Sequence, residues 1–201
     1  MPRWAKAKYP YIPSVGAFEY NVFDPEKWVP EYPNPAFLNM DNDDAFWAAK
    51  QVMAFTDDDI RATVRTGEYT DPAATEWVVR CLMERRNKIG RAFFQRALPL
   101  DRFAVRNSQL TFEDLNATHF GLPTRTAVQW YTIDNKSEQV ERIEGATTFA
   151  VPDVDSEYIA AELSGTGRIV RVYLRRSGSS NGWELVGRET REPELRLLTR
   201  R

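Results

Sequence analysis

His119 is the single histidine of this chain and lies in the stretch NATHFGLP, shortly after Glu113 and Asp114. An imidazole oriented by a carboxylate can act as a general base, and a hydroxyl such as Ser108 would then serve as nucleophile, which describes a hydrolase-type site. No G-x-S-x-G elbow accompanies it, so a loop histidine making an ordinary hydrogen bond is the competing reading. A second constellation is Arg171, Tyr173 and Arg175 in IVRVYLRR. Alternation along a strand puts these three side chains on one face, where cation and ring together can hold an anionic ligand or a carbohydrate. The competing reading is a solvated outer sheet face.

Other reactive groups point to structure. Asp41, Asp43 and Asp44 precede a helical pattern. An EF-hand loop started at Asp41 would place Phe46 where glycine is required and Val52 where the bidentate glutamate is required. Helix capping accounts for this run and for Asp57, Asp58 and Asp59. Cys81 sits between Val78 and Leu82 on an apolar helix face, the setting of a small buried hydrophobe. Arg80, Arg85, Arg86, Lys88, Arg91 and Arg96 form a basic cluster downstream of an acidic first third. Intrachain pairing or a solvated face is expected there, because no RNP or helix-turn-helix pattern supports nucleic-acid binding. P-loop, G-x-G-x-x-G, H-E-x-x-H and C-x-x-C motifs are absent, so no cofactor or metal site is expected.

Composition narrows the class. Twenty-seven basic and 29 acidic side chains give a net charge of −2, with 42% hydrophobic and 28% charged residues, the balance of a globular chain. One cysteine excludes an internal disulfide. Uncharged stretches fall well short of the ~18 apolar residues of a membrane span. The opening MPRWAKAKYPYIP has no apolar signal core; a secreted or periplasmic parent protein stays open.

Seven of the 12 prolines (Pro2, Pro10, Pro13, Pro25, Pro30, Pro33, Pro35) and nine aromatic residues fall within 1–37. Such a stretch cannot form a long helix or a central strand, yet it is too aromatic for a solvated linker. It is expected to be an extended arm laid on a surface, with Trp4, Tyr9, Tyr11, Phe18, Phe23, Trp28, Tyr32 and Phe37 packed. Helices follow. One can be capped by Asp41 and Asn42, with Trp47 expected in its core; one begins at Thr56; a long one begins at Asp71-Pro72 and carries Trp77, also expected in the core. LPLDRFAV at 98–105 reads as a buried connector. Beyond it the apolar period becomes two, with candidate strands at 109–112, 127–133, 139–143, 147–150, 158–163, 169–174 and 183–188.

WVPEYPNPAFLNMDNDDAFWAAKQVMAFTDDDIRATVRTGEYTDPAA, followed by ERRNKIGRAFFQRALPLDRF, resembles a family of uncharacterised bacterial proteins. The resemblance implies that these blocks belong to the C-terminal part of a longer chain, whose upstream region looks like an atypical kinase. No residue of that region aligns here, so no catalytic role is carried over.

The expected architecture is therefore segregated α+β: an arm at 1–40, a three-helix subdomain at 41–103 and an antiparallel β-sandwich of immunoglobulin or fibronectin-III type at 104–201. The expected function is a non-catalytic structural or interaction module of a larger bacterial protein, with residues 1–12 as the first place to seek a partner. The alternatives are a β-sandwich ligand-binding module, carbohydrate among its ligands, and a hydrolase-type enzyme using His119. Neither nucleic acid nor a membrane span is expected.

Overall fold

A computed structural model describes residues 12–178 and 182–191. The chain divides into two compact units, Met1–Phe93 and Phe94–Arg201. The first eleven residues, including Trp4, Tyr9 and Tyr11 and nearly all of the expected partner segment, lie outside the described residues. Among the described residues no helix is long and apolar enough to cross a membrane, and no group of His, Cys, Asp or Glu could hold a metal ion.

The first unit holds the arm and four helices: α1 (Pro35–Leu38), α2 (Asn42–Met53), α3 (Asp57–Arg65) and α4 (Pro72–Phe94). Their starts are local chemistry. Asp41 accepts from the Asp44 amide at 2.9 Å while Asp44 accepts from the Asp41 amide at 3.2 Å. Thr56 and Asp59 form the same reciprocal box at 3.1 and 2.9 Å. Asp71 accepts from the Ala73 amide at 2.9 Å, with Pro72 opening α4. The acidic runs therefore satisfy helix-terminal amides. The Thr56 hydroxyl beside Asp59, and then the Thr56 amide, hold that carboxyl below its ordinary range.

Ile60 and Val64 of α3 and Val78 and Val79 of α4 form the core of this unit, joined by Val15, Phe18, Leu82 and Met83. α2 buries Ala45, Phe46, Ala49 and Met53. Trp47 departs from expectation: it is 61% exposed. The buried stripe of α2 runs through Ala45, Phe46, Ala49 and Met53, and a residue one step (100°) beyond Phe46 falls on its outer flank.

The second unit opens with a hairpin of β1 (Leu100–Arg106) and β2 (Gln109–Asp114). Its two turn residues, Asn107 and Ser108, both have positive φ, 49° and 57°, as the tight hairpin turn that matches strand twist requires. The short helix α5 (Leu115–Phe120) leads to a five-stranded antiparallel sheet of order β4-β3-β5-β6-β7. Its strands are β3 (Ala127–Asp134), β4 (Gln139–Arg142), β5 (Tyr158–Gly165), β6 (Arg168–Arg176) and β7 (Trp183–Arg191). Helices followed by antiparallel sheets make the fold mixed α+β.

Alternation puts Val128 and Trp130 of β3, Ile159, Ala161 and Leu163 of β5, and Val170, Val172 and Leu174 of β6 into one core with Leu98, Leu100, Phe103 and Leu110. Residues 98–105 thus contribute a strand where a connector was expected, because three of their apolar side chains complete this core. The expected strand at 147–150 is reduced to a bridge between Gln109 and Ala150. It serves as a tie instead: Trp130 Nε1 donates to the Thr148 carbonyl at 2.8 Å, and the Leu110 amide to the Phe149 carbonyl at 2.8 Å.

Gly165 ends β5 where a Cβ would lie 2.5 Å from the Arg125 carbonyl oxygen, which is backbone and cannot swing aside. Gly165→Ala should cost about 1–3 kcal/mol in urea denaturation, whereas Gly178→Ala, with nothing within 4 Å of its Cβ, should not. Trp130→Ala should cost about 3–5 kcal/mol because the ring is fully buried. Trp47→Ala should stay within ~0.5 kcal/mol, the surface range.

Candidate functional site

The chemistry-bearing groups fall into three places, and their partners decide what each can do. On α4, Trp77, Cys81, Arg85 and Lys88 follow at intervals of four, four and three, which is one helix face. That face holds the arm. Trp77 Nε1 donates to the Phe18 carbonyl at 2.7 Å, Arg85 Nε to the Glu19 carbonyl at 2.7 Å, and Lys88 Nζ to the carbonyls of Tyr20, Asn21 and Phe23 at 2.7, 3.0 and 3.0 Å. The Arg85 guanidinium also lies over the rings of Phe18 (4.3 Å) and Phe23 (4.9 Å), and Arg80 over Tyr20 (5.5 Å).

Residues 18–23 form no strand whose ladder could satisfy their carbonyls, so cationic side chains do it instead. The basic cluster is thus paired within the chain, though mainly with carbonyl oxygens rather than carboxylates. Arg86 combines both, donating to the Phe55 carbonyl at 2.7 Å and to Asp57 at 2.8 Å. Beneath the arm Cys81 is fully buried, and burial, opposed by Arg85, pushes its thiol pKa up.

The outer face of the sheet carries Arg171, Tyr173 and Arg175 as alternation requires, and register sets a carboxylate beside each. Arg171 lies opposite Glu162 on β5 and Glu189 on β7. Arg171 pairs with Glu162 at 2.5 Å, their side chains only 13% and 21% exposed. Tyr173 donates to Glu189 at 2.6 Å, and Arg175 pairs with Glu184 at 3.2 Å. Burial opposes the charge on Arg171, but the hydrogen bonds and charge attraction of Glu162 and Tyr173 together outweigh it and push its pKa up. Burial, then the hydrogen bond to Glu189, pushes the Tyr173 pKa up; burial, then Glu162, does the same for Tyr131. The three candidate ligand residues are together on one face, with their charge balanced across strands.

His119 is exposed on α5 rather than in a loop, with its ring 5.9 Å from Phe94 and 6.3 Å from Phe120. The helix exists because Asp114 caps it and Gly121 ends it in the left-handed region at φ 66°. Asp114 accepts from the amides of Asn116 (3.0 Å), Ala117 (3.3 Å) and Thr124 (2.5 Å), and from the Thr124 hydroxyl (3.0 Å). Glu113 pairs with Arg102 at 3.2 Å. Both carboxylates proposed to orient the histidine are therefore engaged with other groups.

The third place is an exposed apolar surface that the expectation of a packed arm did not foresee. Trp28 (55% exposed), Tyr32 (79%) and Leu38 (70%) stand in solvent, as do Val29 and half of Phe37. Trp28 and Phe37 meet edge to face at 5.4 Å. The arm thus divides: Phe18 packs inward under the Arg85–Lys88 clamp, while 28–38 presents its apolar side chains outward.

Lys88→Ala leaves three carbonyls without their donor. It should loosen residues 18–23 and raise the rate of Cys81 labelling by a disulfide reagent at least tenfold under native conditions; an unchanged rate would show that the clamp does not hold the arm down. On the sheet, a tyrosine whose folded pKa is raised stabilises fully below its unfolded value. The tyrosine contribution to the stability of the second unit should therefore be level below pH 10.0, the ordinary tyrosine value, and fall as pH rises through the folded values of Tyr131 and Tyr173. Tyr173→Phe should shrink that fall in pH-dependent denaturation.

No protein-family model, curated protein or solved structure matches the chain.

Proposed function

We propose that the chain is a non-catalytic interaction module of a larger bacterial protein or assembly, and that the helical unit receives its protein partner on the surface formed by residues 28–38. One observation carries this reading: Trp28, Val29, Tyr32 and Leu38 are exposed together in one short segment. Exposed tryptophan and tyrosine are side chains that anchor protein interfaces, because each removes a large apolar area from water at little rotamer cost. The cationic and carboxylate groups supply the contrast, since those of the clamp, the sheet face and the Asp114 cap are engaged internally. The resemblance of residues 28–74 and 84–103 to a bacterial family fits a module working beside a kinase-like region. The two antiparallel sheets around one core support reading the second unit as a small sandwich, whose assignment to the immunoglobulin or fibronectin type is part of the same proposal.

The test is a photo-crosslinking amino acid at Trp28 or Tyr32 in the protein expressed in its native cells. A discrete adduct with one protein is expected at these positions and not at exposed Glu68. The adduct from position 32 should be lost in the Trp28→Ala/Leu38→Ala variant while the unfolding midpoint stays put. Equal crosslinking from Glu68, or an adduct indifferent to the double variant, would overturn the proposal.

A further inference from the structure

The helical unit contains a groove of about 410 Å³, within the ~300–1,000 Å³ range of small-ligand sites. Its walls are Val52 and Phe55 at the end of α2, Ile60 of α3, Leu82 and Ile89 of α4, and Phe23 of the arm. Thr63, Arg85 and Arg86 are its polar members. Arg86 has a partner for each nitrogen: Nη1 on the Phe55 carbonyl, Nη2 on Asp57, and Nε on Asn87 at 3.1 Å. Arg85 differs. Its Nε and Nη2 meet the Glu19 carbonyl, both ring-facing sides are covered by Phe18 and Phe23, and Nη1 carries no hydrogen bond among the described residues. Glu19 turns its carboxylate to the Val22 amide at 3.0 Å.

We propose that this groove binds an acyl-chain carboxylate, with the alkyl chain along the apolar walls and the carboxylate on Arg85 Nη1. An extended polypeptide in the groove would bring backbone amides and carbonyls that need partners, and the apolar walls supply none; a hydrocarbon chain needs none. A phosphate or sugar headgroup calls for several converging donors, whereas one guanidinium nitrogen suits a single carboxylate. The site is distinct from the 28–38 surface and stands or falls independently of it.

Isothermal titration of the full chain with octanoate, decanoate and decyltrimethylammonium, all below micelle formation, tests the proposal. Decanoate should bind one to one and about 15-fold tighter than octanoate, at roughly fourfold per buried methylene. The cation of equal chain length should bind at least tenfold more weakly. Thr63→Trp, which places an indole in the groove from its exposed rim, should abolish binding. Ala48→Trp, an equal addition on the exposed side of α2, should not. Val52→Phe replaces Thr63→Trp if circular dichroism shows the latter unfolded. No binding, equal affinity for carboxylate and cation, or binding unaffected by the folded groove-filling variant would each overturn the assignment.

Discussion

The first unit depends on cations of one helix satisfying the carbonyls of a segment that pairs with no strand. Lys88 alone collects three carbonyl oxygens, those of Tyr20, Asn21 and Phe23. Arg85 does two things at once, donating to Glu19 and filling the space between two phenyl rings. Proline makes such an arm feasible by limiting the freedom lost on ordering, but it leaves acceptors that must be matched when buried. The positive charge of α4 thereby becomes part of the fold. A stretch of sequence that resembles a nucleic-acid or phosphate surface has much of its donor capacity turned inward.

The same economy of charge governs the sheet. Its inner face carries the apolar side chains of β3, β5 and β6 from Val128 to Leu174, joined by those of the hairpin. On its outer face Arg171, Tyr173 and Arg175 each meet a carboxylate on a neighbouring strand. Partly buried pairs of this kind specify register more than they add stability, since desolvation offsets much of their attraction. Among the described residues, apolar surface stands open at the outward side chains of 28–38 and along the groove beside Arg85.

Much was determined by the sequence alone. Helix starts at Asp41, Thr56 and Asp71-Pro72 depend on side chains within a few residues of the amides they cap, so they are written locally. Strands at 127–133, 158–163, 169–174 and 183–188 follow from alternation, as does the shared face of Arg171, Tyr173 and Arg175. Tertiary structure decided the rest. Whether Trp47 is core or surface depends on which flank of α2 its neighbours cover, and composition does not record that. LPLDRFAV became a strand because Phe103 and Leu100 complete a core whose sheet members, Val128 to Leu174, are remote in sequence. The arm clamp joins carbonyls near residue 20 to side chains near residue 85, and a carbonyl has no sequence signature. Side-chain type and spacing encode local hydrogen bonds and facing; they do not encode which distant backbone atom a donor will meet.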